Sequence, residues 1–133
     1  MTPTMSAPIT FVSHFSVKPG RTDDVRSMAA TISSQLEAAK PGTAAFLPYL
    51  SDNGTSFTIV HLFPGPDAMA DHFAGADQRS SAAYELFEPA GWEIYGQPHA
   101  AQLDGLRAEA DAAGVDLVVH PEGLPGFLRA SPA

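Results

Sequence analysis

Two histidines are the side chains best suited to acid–base chemistry in this chain of 133 residues. His61 stands in the apolar run FTIVHLF, where alternation places it on the same face as Phe57 and Phe63 if the run is a strand. Apolar neighbours favour the neutral imidazole, which can accept a proton from a weak acid such as a phenol. His61 is therefore the first candidate for a catalytic base. The alternative is that its imidazole only satisfies a backbone group or packs at the rim of the core.

His72 is the second candidate, because it lies beside Phe73 on a short helical segment that should face the same interior. There it would hydrogen-bond a substrate oxygen or relay a proton. The alternative is a boundary residue whose ring packs on the core while its nitrogens reach water. His14 has the opposite parity from Phe11 and Phe15 in its strand, so we expect it on the other face of the sheet, in a structural role.

Other kinds of catalytic chemistry find no support in the residue types and their spacing. The chain has no Cys, which excludes thiolate nucleophiles, disulfides and iron–sulfur clusters. It also lacks an H-x-x-x-H pair, a G-x-S-x-G elbow and a glycine-rich phosphate loop. We therefore expect an activity without metal, flavin or haem, and no covalent serine catalysis.

The charge balance limits the partners. Seven Lys and Arg against 15 Asp and Glu give a formal net charge of −8, and no basic cluster interrupts it, so nucleic acid is not an expected partner. No run approaches the ~18 apolar residues of a membrane helix, and the first residues do not have the pattern of a signal peptide. We expect no membrane association and a cytoplasmic location.

Hydrophobic periodicity and turn residues place the histidines in a β-α-β-β-α-β order followed by one more helix and strand. The predicted strands are residues 9–17, 44–51, 57–63, 92–96 and 115–120, and the predicted helical segments are 22–39, 68–74, 77–87 and 99–113. This order predicts an α+β, ferredoxin-like fold in which helices cover one face of an antiparallel sheet. We expect one domain at 9–128, with a core at 9–97 and an extension at 98–128, and flexible ends at 1–8 and 129–133. In the extension, Phe127 and Leu128 are expected to dock on the body of the domain.

The face of the sheet that carries no helices is expected to be buried by another surface. In the first and third strands this face would carry a mixed, partly apolar set of side chains, namely Thr10, Val12, His14, Thr58, Val60 and Leu62. Such a surface is too large and too apolar to remain in water. A homodimer that buries the two outer faces against each other is the expected solution.

Three segments resemble the antibiotic biosynthesis monooxygenase type of dimeric α/β-barrel protein. They are FSVKPGRTDDV, TIVHLFPGPDAMADHF and WEIYG, which together lie within residues 9–97. The resemblance implies the ferredoxin-like fold, a dimeric barrel and a small apolar cavity between each sheet and its helices. It also implies a choice of activities, because some members oxidise polycyclic phenols to quinones with O₂ and no cofactor, while others degrade haem or isomerise small molecules. In the haem-degrading pattern this chain has Ser13, Phe63 and residues 80–82 at the functional positions, which does not favour haem.

The resemblance gives the remaining aromatic residues a role as walls of a pocket for a small aromatic ligand. The substrate-binding set is Phe11, Ser13, Tyr49, Phe57, Phe63, Phe73, Tyr84 and Trp92. The alternative for each aromatic residue is plain core packing.

The leading hypothesis is a cofactor-independent monooxygenase that oxidises a small phenol- or quinol-type compound with O₂. His61 would act as the base and His72 would assist it. One alternative is a module on the same fold that only binds a ligand or dimerises. Another is an isomerase or cyclase that uses the same base without O₂.

Overall fold

A single five-stranded sheet with helices on one face forms the protein. The computed structural model describes residues 7–129, apart from the side chains of residues 77–80. The strands are β1 (Ile9–Val17), β2 (Ala45–Leu50), β3 (Ser56–Phe63), β4 (Phe87–Tyr95) and β5 (Leu117–His120). The helices are α1 (Thr22–Ala39), α2 (Pro66–Phe73), α3 (Ala76–Ala83) and α4 (Ala100–Ala113).

The sheet has the strand order β2-β3-β1-β4-β5, with β1 antiparallel to β3 and β4, and β2 antiparallel to β3. The expected α+β, ferredoxin-like arrangement is therefore confirmed. One departure is β5, which pairs parallel to β4 because α4 carries the chain back across the sheet before β5 begins. The barrel of two subunits stays a prediction.

Alternation along β1 determines which face of the sheet the helices cover. Ile9, Phe11, Ser13 and Phe15 are buried on the inner face, whereas the residues between them are more exposed. Helices α1, α2 and α4 each bury at least one side chain on this inner side. The inner face is therefore where the core and any internal cavity must lie.

The core consists of two groups of apolar side chains. One group joins α2 and α4 to the sheet and contains Ile9, Phe11, Phe63, Met69, Trp92, Ile94, Leu106 and Ala110. The other joins α1 to the sheet and contains Phe15, Val25, Phe57, Leu86 and Phe87. The extension thus adds a helix to the inner face of the sheet.

The start of β4 corrects the sequence prediction. The sequence predicts a helical segment up to residue 87 and a strand only from residue 92, but α3 ends at Ala83 and β4 already begins at Phe87. The register between β1 and β4 shifts at His14 and Phe15, which places Pro89 opposite Phe15. Since β5 pairs only with Trp92–Tyr95, Pro89 lies on a part of β4 that has a neighbour on one side only, where a missing N–H is tolerated.

The tail corrects a second expectation. Phe127 and Leu128 were expected to dock on the body of the domain, but they are 85% and 60% exposed, and Leu124 is 77% exposed. The segment after β5 has no helix or strand through Arg129, so nothing in its backbone folds these side chains back. The predicted flexible ends fall largely at residues 1–6 and 130–133, which lie outside the described residues.

Candidate functional site

A cavity of about 830 Å³ lies between the inner face of the sheet and the helices. Its floor includes Phe11, Ser13 and Trp92 of the central strands, and its roof includes side chains of all four helices. The volume falls in the range of pockets that hold drug-sized ligands. Most lining side chains are aromatic or aliphatic, so polar atoms are concentrated at a few positions.

His61 provides the clearest polar function in this cavity. It is 4% exposed, and its Nδ1 atom lies 3.0 Å from the backbone oxygen of Phe11. Because a carbonyl oxygen can only accept, Nδ1 carries the hydrogen and donates it. In the neutral imidazole this leaves the lone pair on Nε2, which is the atom able to act as a base. The strand pairing therefore selects a tautomer as well as a position.

His72 lies beside His61. The two ring centroids are 5.1 Å apart and the ring planes are nearly perpendicular, at 80°. His72 is 2% exposed, and its Nδ1 atom lies 2.7 Å from the hydroxyl oxygen of Thr43. Lys40 supports this arrangement, since its Nζ donates to the backbone oxygens of Asp71 and Ala74 at the end of α2, at 2.6 and 3.3 Å. The turn after α1 therefore positions the helix that carries the second imidazole.

Aromatic rings surround the two imidazoles. The ring centroid of His61 lies 5.3 Å from those of Phe11 and Phe46 and 5.9 Å from those of Phe63 and Phe73. These rings exclude water from one side of the imidazole and offer flat faces on which an aromatic ligand can stack. The arrangement is suited to removing a proton from an aromatic compound away from bulk water.

The structure brings most of the predicted site residues to this cavity. Both histidines line it, together with Phe11, Ser13, Phe73, Tyr84 and Trp92. Phe57 and Phe63 are buried behind the lining, at 2% and 0% exposure. These two residues contact the lining from outside, since Phe57 packs 5.3 Å from Phe87 and Phe63 packs 5.9 Å from His61.

Tyr49 does not line the cavity, contrary to the sequence interpretation. It is 57% exposed and pairs with Thr58, whose side chain is on the outer face. In β2 the inward positions are Phe46, Pro48 and Leu50, so Phe46 takes the place expected for Tyr49. Phe46 and Tyr49 have opposite parity in the strand, so only one of them can face the cavity. The pairing of Phe46 with His61 places Phe46 on the inner face, because paired residues share a face.

The sequence analysis also missed the contribution of α4. Gln102, Gly105 and Glu109 of this helix line the cavity, although they belong to the extension, to which no chemistry was assigned. Their recurrence at intervals of three and four residues is a helix-face signal. Pattern alone could not show that this face would lie over the same cavity as His61.

The outer face of the sheet carries a separate polar group. Glu93 lies 3.4 Å from Nε2 of His14 and accepts a hydrogen bond from the Tyr95 hydroxyl at 3.1 Å. Partial removal from water, followed by the hydrogen bond to Glu93 and its negative charge, raises the pKa of Tyr95 above its ordinary value of 10.0. His14 also contacts the hydroxyl of Thr58 at 3.2 Å. The outer face is therefore distinct from the cavity in both position and charge.

Two further observations concern ions and membranes. In the part of the chain that the structure describes, no three His, Asp or Glu side chains approach closely enough to bind a metal ion. None of the helices within residues 7–129 is long and apolar enough to cross a bilayer.

Several solved protein structures have the same fold as this chain. MupZ from Pseudomonas fluorescens superposes with a TM-score of 0.72 at 13% identity, over 95% of this chain and 98% of MupZ. A variant of SnoaB, a cofactor-independent oxygenase from Streptomyces nogalater, gives 0.57 at 19% identity, over 68% of this chain and 92% of SnoaB. A candidate antibiotic biosynthesis monooxygenase from Caulobacter crescentus gives 0.59 at 16% identity, over 68% and 90%. No family profile and no curated protein matches the sequence.

These likenesses establish a shared fold. The fold implied by the resemblance to antibiotic biosynthesis monooxygenases is thereby confirmed, since such proteins are among the structural neighbours. The match to MupZ covers most of the extension as well, whereas the other two matches cover about the length of the predicted core.

Proposed function

We propose that this protein is a cofactor-independent monooxygenase that oxidises a small phenol- or quinol-type aromatic compound with O₂. The observation that carries the proposal is the hydrogen bond from His61 Nδ1 to the Phe11 carbonyl, which directs the basic lone pair to Nε2 inside an aromatic cavity. The structural likeness to a cofactor-independent oxygenase supports the same reaction class.

The reaction begins with proton transfer to Nε2 of His61. The substrate becomes an electron-rich phenolate or enolate, which gives an electron to O₂ and combines with the resulting superoxide to form a peroxide anion. The imidazolium of His61 returns its proton to this anion, which gives a hydroperoxide and regenerates the neutral base. Loss of water from a CH–OOH carbon produces the carbonyl of a quinone, so one oxygen atom enters the product and the other leaves as water. In this last step neutral His61 takes the proton from the CH–OOH carbon and gives it to the departing hydroxide, while His72 hydrogen-bonds the substrate oxygen.

The test is oxygen uptake with a panel of hydroquinones and anthrones, measured for the natural protein and for His61→Asn. The Asn amide can still donate to the Phe11 carbonyl, but it has no basic nitrogen at the ε position. We expect uptake to fall by roughly 10²–10⁴-fold, the usual contribution of a general base. His14→Asn is the matched control, because His14 lies on the outer face and its loss should leave uptake unchanged.

Binding is measured in parallel through the fluorescence of Trp92, the single Trp of the chain and part of the cavity wall. Saturable binding without oxygen uptake in the natural protein would replace the oxygenase with a ligand-binding module. Conversion of the ligand to an isomer without oxygen uptake would replace it with an isomerase or cyclase.

The proposal includes a homodimer formed through the outer face of the sheet. Val12, Val60 and Leu62 are half-buried there, and Leu47 and Tyr49 are 45% and 57% exposed. A second copy that covers these side chains would remove apolar surface from water on both subunits.

A further inference from the structure

Two polar side chains on the cavity floor lie apart from the histidines. Ser13 is at the centre of β1 and is 3% exposed, and Trp92 of β4 is 5% exposed. The two residues are paired across the strands, and both line the cavity. Residues directly opposite each other in an antiparallel pair have Cβ atoms about 4.5–5.5 Å apart. The serine hydroxyl and the indole N–H therefore border the same part of the floor.

Neither of these polar groups has a hydrogen-bond partner among the residues that the structure describes. The two buried histidines do have partners, since His61 contacts the Phe11 carbonyl and His72 contacts the Thr43 hydroxyl. Every N or O atom of a described side chain that is closed off from solvent has a partner. The unpartnered hydroxyl and N–H must therefore keep open surface, and for two buried residues of the cavity lining that surface faces the cavity.

The hydroxyl of Ser13 is not required by the packing of its strand. Its buried neighbours on the inner face of β1 are all apolar, namely Ile9, Phe11 and Phe15. Removing a hydroxyl from water without giving it a protein partner is unfavourable for folding. A ligand atom can supply the missing partner. Because a hydroxyl can donate or accept and an indole N–H can only donate, a ligand atom that uses both groups must be an acceptor.

The position of Ser13 relative to His61 indicates where on the ligand this acceptor would be. His61 pairs with Phe11, and Ser13 lies two residues further along β1 on the same face. Residues in this diagonal relation across two strands are about 7–8 Å apart. That separation is close to the length of one aromatic ring with a short substituent.

We propose that Ser13 and Trp92 form a second polar subsite, which binds an acceptor oxygen of the ligand, such as a ketone carbonyl, one ring away from the oxygen held at His61. The preferred ligand is then a phenol that carries a second oxygen. The proposal rests on the proposed function in one respect, namely that a phenolic oxygen lies at His61. It does not require that the ligand is oxidised.

Isothermal titration calorimetry under nitrogen tests the subsite without turnover. The 3- and 4-isomers of hydroxyacetophenone present a carbonyl oxygen at two angles to the phenol group, and 3- and 4-ethylphenol have similar shapes without that oxygen. For at least one ketone, Ser13→Ala should weaken binding by about fivefold or more, the usual contribution of a hydrogen bond. Binding of the matching ethylphenol should change by less than about twofold.

Ser16→Ala is the matched control for this substitution. Ser16 belongs to the same strand but is exposed and has the parity of the outer face. The control variant should bind all four compounds as the natural protein does.

The indole N–H of Trp92 provides a second readout by ¹H–¹⁵N NMR. The chain has a single Trp, so one indole cross-peak reports on the subsite. The ketone that loses affinity in Ser13→Ala should move this peak to higher ¹H frequency, because the N–H then donates a hydrogen bond. The matching ethylphenol controls for the effect of the ring alone and should move the peak less.

The stability of Ser13→Ala provides a check that does not depend on ligands. Because the hydroxyl has no protein partner to lose, the thermal unfolding midpoint should change by less than about 3 °C. A larger fall would mean that the hydroxyl stabilises the fold and would overturn the proposal.

The binding results can also overturn it. Equal losses of ketone and ethylphenol affinity in Ser13→Ala, no loss for either ketone, no measurable binding of either ketone, or equal movement of the indole peak by both compounds would each do so. If the ketone preference is found but no oxygen is consumed, the proposed oxidation fails while the subsite stands. If hydroquinones and anthrones are oxidised but Ser13→Ala loses no ketone affinity, the subsite fails while the oxidation stands.

Discussion

The hydrogen bond between Thr43 and His72 is the contact that most directly fixes the second imidazole. The Thr43 hydroxyl oxygen lies 2.7 Å from Nδ1 of a histidine that is 2% exposed. Thr43→Val replaces the hydroxyl with a methyl group of nearly the same shape. The change therefore removes the hydrogen bond, leaves the packing largely intact and places a methyl group against a buried ring nitrogen.

The expected loss of stability follows from the burial of His72, which is 2% exposed. A hydrogen bond contributes about 0.5–1.5 kcal/mol net, and a buried polar atom that loses its partner costs about 1–3 kcal/mol. We expect Thr43→Val to lower the free energy of unfolding by about 1–2 kcal/mol. For a chain of this length that corresponds to a fall in the thermal midpoint of about 3–10 °C.

The energy of the Thr43–His72 hydrogen bond is measured by a double-mutant cycle. The free energy of unfolding in urea is compared for the natural chain, Thr43→Val, His72→Phe and the double variant. Because His72→Phe removes the same hydrogen bond, the two losses should not add, and the coupling energy should exceed about 0.5 kcal/mol. Additive losses within about 0.3 kcal/mol would refute the contact as a source of stability.

Thr58→Val is the matched control for this cycle. It removes the same kind of His–Thr contact, at 3.2 Å, but from His14 on the outer face, whose side chain is 40% exposed. The control is made in the Val60→Lys background, in which we expect a monomer whose outer face is in water. Water can then replace that contact, so the loss should stay within about 0.5 kcal/mol. An equal loss at Thr43 and Thr58 would show that burial in the cavity does not strengthen the inner pair.

Two further predictions concern the outer face. The pKa of Tyr95 is raised on folding, so the stability linked to its hydroxyl is fully present below the unfolded pKa, about 10, and is lost as pH rises through the folded value. In unfolding experiments across alkaline pH, Tyr95→Phe should flatten this decline, and an unchanged profile in Tyr95→Phe would contradict the linkage. Sedimentation at micromolar concentration should show a dimer that Val60→Lys converts to a monomer and that Ala108→Lys on the exposed side of α4 leaves intact. A monomeric natural protein would rule out the proposed homodimer.

Local pattern determined most of the fold, because alternation is unambiguous where one face of a strand is buried. The predicted bounds of β1 match the structure, and the parity of His61 correctly indicated the inner face. Parity also correctly separated His14, on the outer face, from His61, on the inner face. These successes share a cause, since a shift of one residue would move every side chain of the strand to the wrong face.

The errors arose where distant parts of the chain decide the outcome. Glu88 and Pro89 read as the end of a helix, but pairing with β1 and the short reach of β5 make them part of a strand. Pro48 blurred the pattern of β2, so Tyr49 was assigned to the cavity in place of Phe46. The contribution of α4 could not be predicted for a related reason, because the spacing of residues along a helix indicates a common face without showing what lies opposite.

Two His–Thr pairs of this protein differ in the exposure of the histidine, since His72 is 2% exposed and the side chain of His14 is 40% exposed. His72 lines the cavity and contacts Thr43 of the turn after α1, whereas Thr58 and His14 meet on the face that helices leave uncovered. Only the inner pair has a second imidazole beside it, whose tautomer is fixed by a backbone carbonyl. An imidazole in water removes a proton from a weak acid such as a phenol inefficiently. A substrate held against Nε2 of His61 without competing water transfers its proton over a short, fixed distance. The catalytic proposal therefore depends on the hydrogen bonds and rings that hold His61 and His72 in place, more than on the presence of histidine as such.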